Sequence, residues 1–241
     1  MALPNRIIAE TSILNCAEMS KSIAPISDDF TGGTSAGESG WTSASSGTGV
    51  GGTSGSATIV DGNHPGVLVV SCGTDTNGRY CLHRATNQIL VGGGPIVMET
   101  LVNIPNLSDV TDEYDLEIGF GDQTGSSAQT NGIFFSYDRN TSANWYATSV
   151  YSSSSTAADT SIVVGTGWTK FRIEINAAAS SVEFFTAAGG STPATRATVT
   201  TKIPTTNRIT PYYRIIKSAG TTARTFGIDY WTLRQFFTTA R

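Results

Sequence analysis

The residues best suited to chemistry are three carboxylates at alternate positions, in the run Glu113-Tyr114-Asp115-Leu116-Glu117. Alternate side chains of a β-strand share a face, so a strand here lines up all three acids. Paired carboxylates are the machinery of glycoside hydrolysis, and a retaining mechanism needs its two working carboxyls about 5–5.5 Å apart. Residues four apart on a regular strand have Cα atoms separated by about 13 Å, so only a strongly concave sheet brings Glu113 and Glu117 into that range. Neighbouring carboxylates at about 7 Å repel by about 2 kcal/mol per pair at an effective dielectric near 20. That field either raises one pKa or is relieved by water and a nearby arginine. The plainer reading, an acidic strand face turned to solvent or to a neighbouring subunit, is the favoured one.

A second candidate set is aromatic: Trp145, Tyr146 and Tyr151 fall on a strand and loop where rings can stack on sugars. Tyr146 points opposite to Trp145, so at most one side of this set faces a glycan. His64, in a turn before Pro65, and His83, within a strand, lack the spacing of a metal centre. No Asp/Asn cluster makes a calcium site, and no cofactor is expected. Gly92-Gly93-Gly94-Pro95 reads as a turn and lacks the Lys-Ser/Thr of a phosphate loop. Trp168 and Trp231 are expected to cap or fill the interior, and Asp229, in Gly227-Ile228-Asp229-Tyr230-Trp231, to accept backbone hydrogen bonds. The three cysteines, Cys16, Cys72 and Cys81, are too few and odd in number for a disulfide framework. Asn77-Gly78 reads as a hairpin turn that sets Thr74 opposite Cys81 and Cys72 opposite His83, keeping the sulfurs apart. Reduced thiols in a chain made in a cytoplasm follow.

The elements that position these residues are short and alternating. Tyr114, Leu116, Ile118 and Phe120 share one face, leaving Glu113, Asp115, Glu117 and Gly119 on the other. Ile133, Phe135 and Tyr137 alternate with Phe134, Ser136 and Asp138, and Thr169, Phe171, Ile173 and Ile175 alternate with Trp168, Lys170, Arg172 and Glu174. Period-two patterning marks strands with one buried side. Segments 66–72, 80–84, 95–104, 182–186, 212–217 and 226–237 continue the series. About a dozen strands with no helical pattern between them predict an antiparallel sandwich, a jelly roll over residues 28–241. Residues 1–27 read as an N-terminal arm that anchors assembly, and 31–56 as a Gly/Ser/Thr-rich loop interrupted by Trp41 and Val50.

Composition agrees. Of 241 residues, 35 are Thr, 27 Ser and 26 Gly, and only four are Lys, which argues against a helical bundle. No apolar run is long enough for a membrane helix, and Asn5, Arg6, Glu10 and Thr11 break up the leading segment as a secretory signal. The net charge of −4 divides into −11 over residues 1–169 (5 basic, 16 acidic) and +7 over 170–241 (10 basic, 3 acidic). The basic residues form no run, so nucleic acid is not an expected partner.

The stretch from about 114 to 237 resembles the concanavalin-like jelly-roll domains of tailed-bacteriophage virion proteins, among them fibres and head or tail accessory proteins. The likeness lies in IGFGD (118–122), NGIFFSYDR (131–139), NW (144–145), GWTKFRIEIN (167–176) and KSAGTTARTFGIDYWTL (217–233), with HPGV (64–67) before them. It implies a structural component of a virion, a decoration or fibre protein made in the host cytoplasm. Its implied partners are copies of itself, as a homotrimer, and capsid or tail proteins. The alternative is a carbohydrate-binding adhesin domain of a tail fibre. The acidic run is also similar to the Glu-x-Asp-x-Glu signature of retaining β-glucanases, which share this sandwich. That likeness makes Glu113 the nucleophile, Glu117 the acid/base and Asp115 the residue balancing their charges. Tyr114, where glucanases carry an aliphatic residue, departs from it, and the expectation is a protein without catalytic activity.

Overall fold

A computed structural model of the chain describes residues 22–30, 40–54, 63–64, 66–84, 88–188 and 191–238. Fifteen strands and no helix lie among the described residues. The first five are β1 (Ser22–Asp28), β2 (Trp41–Ser46), β3 (Val50–Ser54), β4 (Leu68–Cys72) and β5 (Arg79–Arg84). The next five are β6 (Ile96–Ile104), β7 (Tyr114–Gly121), β8 (Gly132–Asp138), β9 (Asn144–Tyr151) and β10 (Ser154–Val163). The last five are β11 (Gly167–Ile175), β12 (Val182–Ala188), β13 (Ala194–Val199), β14 (Thr210–Lys217) and β15 (Thr225–Phe236).

The strands form two antiparallel sheets. One runs β13-β12-β11-β6-β15-β4-β3, with β1 also paired to β15; the other runs β10-β9-β8-β7-β14-β5-β2. Their inner faces meet in the core that the alternation predicted. Leu116, Ile118 and Phe120 of β7, Phe135 of β8, and Phe171 and Ile173 of β11 are at most 1% exposed. Phe135 lies 4.9 Å from Phe171 and 5.1 Å from Phe184, and Trp145 lies 4.7 Å from Phe171, centroid to centroid. Each such side chain contributes about 1.5–3 kcal/mol of burial, so the sandwich holds without a disulfide.

Three features differ from the sequence expectation. Residues 22–27, expected in the arm, belong to the sandwich: with Asp28 they form β1, which pairs with β15 from Ser22↔Phe236 to Asp28↔Trp231, and residues 1–21 lie outside the described part. The register slips between Ile23 and Ile26, around Pro25, where a bulge tolerates a residue with no N–H to give the ladder. The Gly/Ser/Thr-rich stretch is not all loop either, since it supplies β2 and β3, one edge strand for each sheet. An edge strand is half solvated and needs few apolar positions; Trp41 suffices, packed 5.0 Å from Trp231 with 3% of its surface exposed.

The third difference is the segment around Asn77-Gly78, which makes no hairpin. β4 and β5 belong to different sheets, so residues 73–78 cross between layers. A side chain at Gly78 would meet the Cys72 carbonyl oxygen at 2.0 Å, so the glycine serves a close backbone approach rather than a two-residue turn. Cys72 consequently sits in the main core and Cys81 in a small apolar cluster on the outer face of the second sheet. Both are free, and burial pushes the Cys81 thiol up to about 12. No described helix is long and apolar enough to cross a membrane.

Candidate functional site

β7 turns Asp115 and Glu117 outward, as its alternation requires, but that face does not form an open acidic groove. Register with β14 places Arg214 directly beside Glu117. Arg214 donates from Nη2 to Glu117 Oε1 at 2.8 Å and from Nε to Oε2 at 3.0 Å, and Tyr212 Oη donates to Oε2 at 2.5 Å. Arg214 Nη1 donates onward to the carbonyls of Gly125 (2.9 Å) and Ser127 (2.7 Å), so the β7–β8 loop closes over the pair. Arg214 is 2% exposed and the Glu117 side chain 18%. Burial alone would lower the Arg214 pKa; the Glu117 charge and Tyr212 outweigh it and hold the guanidinium ionised.

Two glycines of the IGFGD run make this roof fit. Gly119 lies in register between Phe134 and Tyr212, whose rings approach edge to face at 6.0 Å. A Cβ on Gly121 would meet Gln129 Oε1 at 2.4 Å and Tyr212 Cε1 at 2.8 Å. Gln129 in turn accepts from the Asp122 N–H (2.9 Å) and the Gln123 N–H (2.8 Å), pinning the loop. What remains beside the acids is a cleft of about 210 Å³ that Ser126 and Ala128 help to line.

The three carboxylates therefore have separate situations. Glu113 precedes the strand and accepts from Asn140 Nδ2 at 3.2 Å. Asp115 stands opposite Asp138 on β8; burial, then Asp138 and Glu117, push its carboxyl up to about 6. Glu117 is spent on Arg214 and Tyr212. A general acid/base must exchange a proton with substrate, and both oxygens of Glu117 already accept hydrogen bonds from Arg214 and Tyr212.

The aromatic set does not converge. Trp145 is 1% exposed and packs among Phe135, Tyr137 and Phe171, so it offers no ring to a ligand. Tyr146 is half-buried on the outer face, and Tyr151 spends its hydroxyl on Thr206 Oγ1 at 3.0 Å. His83 lies against Thr42, and no group of three or more metal-ligating side chains occurs among the described residues.

Sequence reasoning missed a constellation on the opposite outer face. Trp168 is not in the core, unlike Trp231; it stands half-buried on β11, its ring stacked on His64 at 4.1 Å and 19°. His64 Nδ1 lies 2.9 Å from Asp229 Oδ2, within hydrogen-bond distance. Asp229 reaches this face because β15 bulges there: Ile228 pairs with Val102 and Tyr230 with the adjacent Leu101, leaving Asp229 as the extra residue. With Asn63, Leu101, Lys170 and Tyr230 these residues line a cleft of about 720 Å³. The outward parity of Trp168 was legible; the bulge that delivers Asp229 was not.

Against this geometry, a model of the family described as SO2946-like, C-terminal domain, matches residues 63–229. No curated protein matches the chain by sequence. Among solved structures, a protein of unknown function, SO2946 from Shewanella oneidensis MR-1, is 13% identical with a TM-score of 0.69, covering 100% of this chain and 98% of that one. The endo-1,3-beta-glucanase of Streptomyces sioyaensis is 14% identical (TM-score 0.58; 90% and 98% covered). The CBM2 module of the evolved Dit of Lactobacillus casei BL23 phage J-1 is 11% identical (TM-score 0.54; 92% and 99% covered). At these identities the likenesses show a shared concanavalin-like sandwich.

Proposed function

The chain belongs to the SO2946-like C-terminal domain family, and we propose that it is a non-catalytic structural component of a bacteriophage particle. In this reading it is a decoration or fibre protein, a homotrimer attached to capsid or tail proteins through residues preceding β1. The observation that carries the absence of catalysis is the closed state of the acidic strand: Glu117 is chelated by a 2% exposed Arg214 beneath the β7–β8 loop. Likeness to a phage-borne module supports the setting. A second reading, recognition of a surface glycan, is favoured by the cleft around Trp168 and His64, where a half-buried aromatic ring stands beside oriented polar groups.

The test is a particle-incorporation assay paired with a hydrolysis assay. Because β1 is part of the sandwich, the informative truncation removes residues 1–21, not 1–27. The truncated chain is expected to stay folded and to be lost from density-purified particles, whereas the full chain co-purifies stoichiometrically. Full occupancy by the truncated chain overturns attachment through the leading segment. Release of reducing sugar from β-1,3-glucan by the wild-type chain, abolished by Glu113→Gln, overturns the absence of catalysis.

A further inference from the structure

We propose that the cleft on the outer face of β6, β11 and β15 binds an acidic saccharide, a pyranose carrying a carboxylate or phosphate group. This rests on the recognition reading above and supplies its site and ligand class.

Leu101, 6% exposed, lies at the centre of a row in which β11 contributes Lys170 and β15 contributes Tyr230 at the same level. One level along, Trp168 rises from β11 beside Asn103. The floor is thus apolar and one wall is the stacked pair of Trp168 and His64, an aromatic border against which a sugar ring can pack. The volume, about 720 Å³, is in the range of sites for one or two sugar rings and exceeds what a few ordered waters need.

The polar groups are placed rather than incidental. The bulge at Asp229 carries a carboxylate, 7% exposed, out to the cleft side of the sheet. There it orients the imidazole of His64, whose ring is fixed a second time by stacking on Trp168. Two independent restraints hold this side chain in one orientation, which lowers the entropic cost of packing a ligand beside it. The Tyr230 hydroxyl donates to Glu99 Oε1 at 2.7 Å, so that carboxylate is engaged.

Charge selects the ligand class. Asp229 is hydrogen-bonded to His64, Glu99 accepts from Tyr230, and Arg172 pairs with Glu174 farther along β11, so each of these groups is engaged within the protein. Lys170, half-buried in the cleft wall, has no hydrogen bond or ion pair among the described residues. An ammonium at the side of an apolar floor complements an anionic substituent on a ring resting there. The opposite sheet's acidic face, with Asp115 beside Asp138, would repel the same ligand.

The experiment titrates the full-length chain with a trigalacturonide and with glucose 6-phosphate, using cellotriose and inorganic phosphate as controls, and follows tryptophan fluorescence and heat. At least one acidic probe is expected to bind at least tenfold more tightly than cellotriose and inorganic phosphate; which of the two does so separates carboxylate from phosphate as the recognised group. Trp168→Ala is expected to weaken that binding at least tenfold with the unfolding midpoint nearly unchanged. Lys170→Gln is expected to remove the preference for acidic over neutral sugar. Equal binding of charged and neutral trisaccharides overturns the ligand class. Acidic-sugar binding undiminished in Trp168→Ala overturns the site while leaving glycan recognition standing, and failure of all probes to bind overturns the proposal.

Discussion

The two outer faces of the sandwich carry similar chemistry to opposite ends. On the β7 face a carboxylate, a cation and an aromatic hydroxyl meet as Glu117, Arg214 and Tyr212, and they consume one another beneath a loop. On the β11 face Asp229, His64 and Trp168 also meet, but they border a cleft of about 720 Å³ against about 210 Å³. A constellation satisfied internally and roofed stabilises the fold; one that borders an open cleft is placed to meet a ligand. Position on the fold does not decide which is which. The strand that resembles a hydrolase signature is the closed one.

The largest effect expected to separate the faces is on stability. Removing one partner of a buried ion pair leaves the other charged and unpaired, at a cost of about 3–5 kcal/mol. Glu117→Gln is therefore expected to lower the thermal midpoint by roughly 6–20 °C for a domain of this size. Trp168→Ala, at a half-buried surface position, is expected to change stability by no more than about 1 kcal/mol. Differential scanning calorimetry of the two variants checks this contrast, and equal losses would erase it.

A smaller effect has the opposite sign. The Asp115 carboxyl rises in the folded chain from 3.8 to about 6, through burial first and then Asp138 and Glu117. Between those values the folded chain holds a proton that the unfolded chain has released, so this group's contribution to stability falls as pH rises from about 4 to about 6. Asp115→Asn removes the penalty: it should stabilise the protein by roughly 1–2 kcal/mol above pH 6, after allowance for residual solvent access, and leave it unchanged near pH 4. Denaturant unfolding at the two pH values reads the difference, and destabilisation at pH 7 would mean that Asp115 makes a favourable contact as an anion.

Much of the architecture was written locally. Apolar residues recurring at alternate positions mark β7, β8 and β11 because each has one face in the core. The parts that escaped depend on contacts between distant residues. Arg214 and Glu117 are 97 residues apart and meet only through the β7–β14 register. Asn77-Gly78 has the local chemistry of a hairpin turn, yet the flanking strands join separate sheets because β4 finds β15 and β5 finds β14. β2 and β3 were hidden in a Ser/Gly-rich stretch because edge strands bury little, and Asp229 faces the cleft through a bulge that side-chain periodicity cannot register.

The most direct test of the account is a map of backbone amide shifts as the tighter-binding acidic saccharide is titrated into the protein. The account predicts saturable shifts confined to residues around 63–64, 101, 168–170 and 229–230, with the β7 strand and the 122–131 loop unmoved. Shifts centred on Asp115, Glu117 and Arg214 instead would contradict it, placing the ligand on the face held here to be closed.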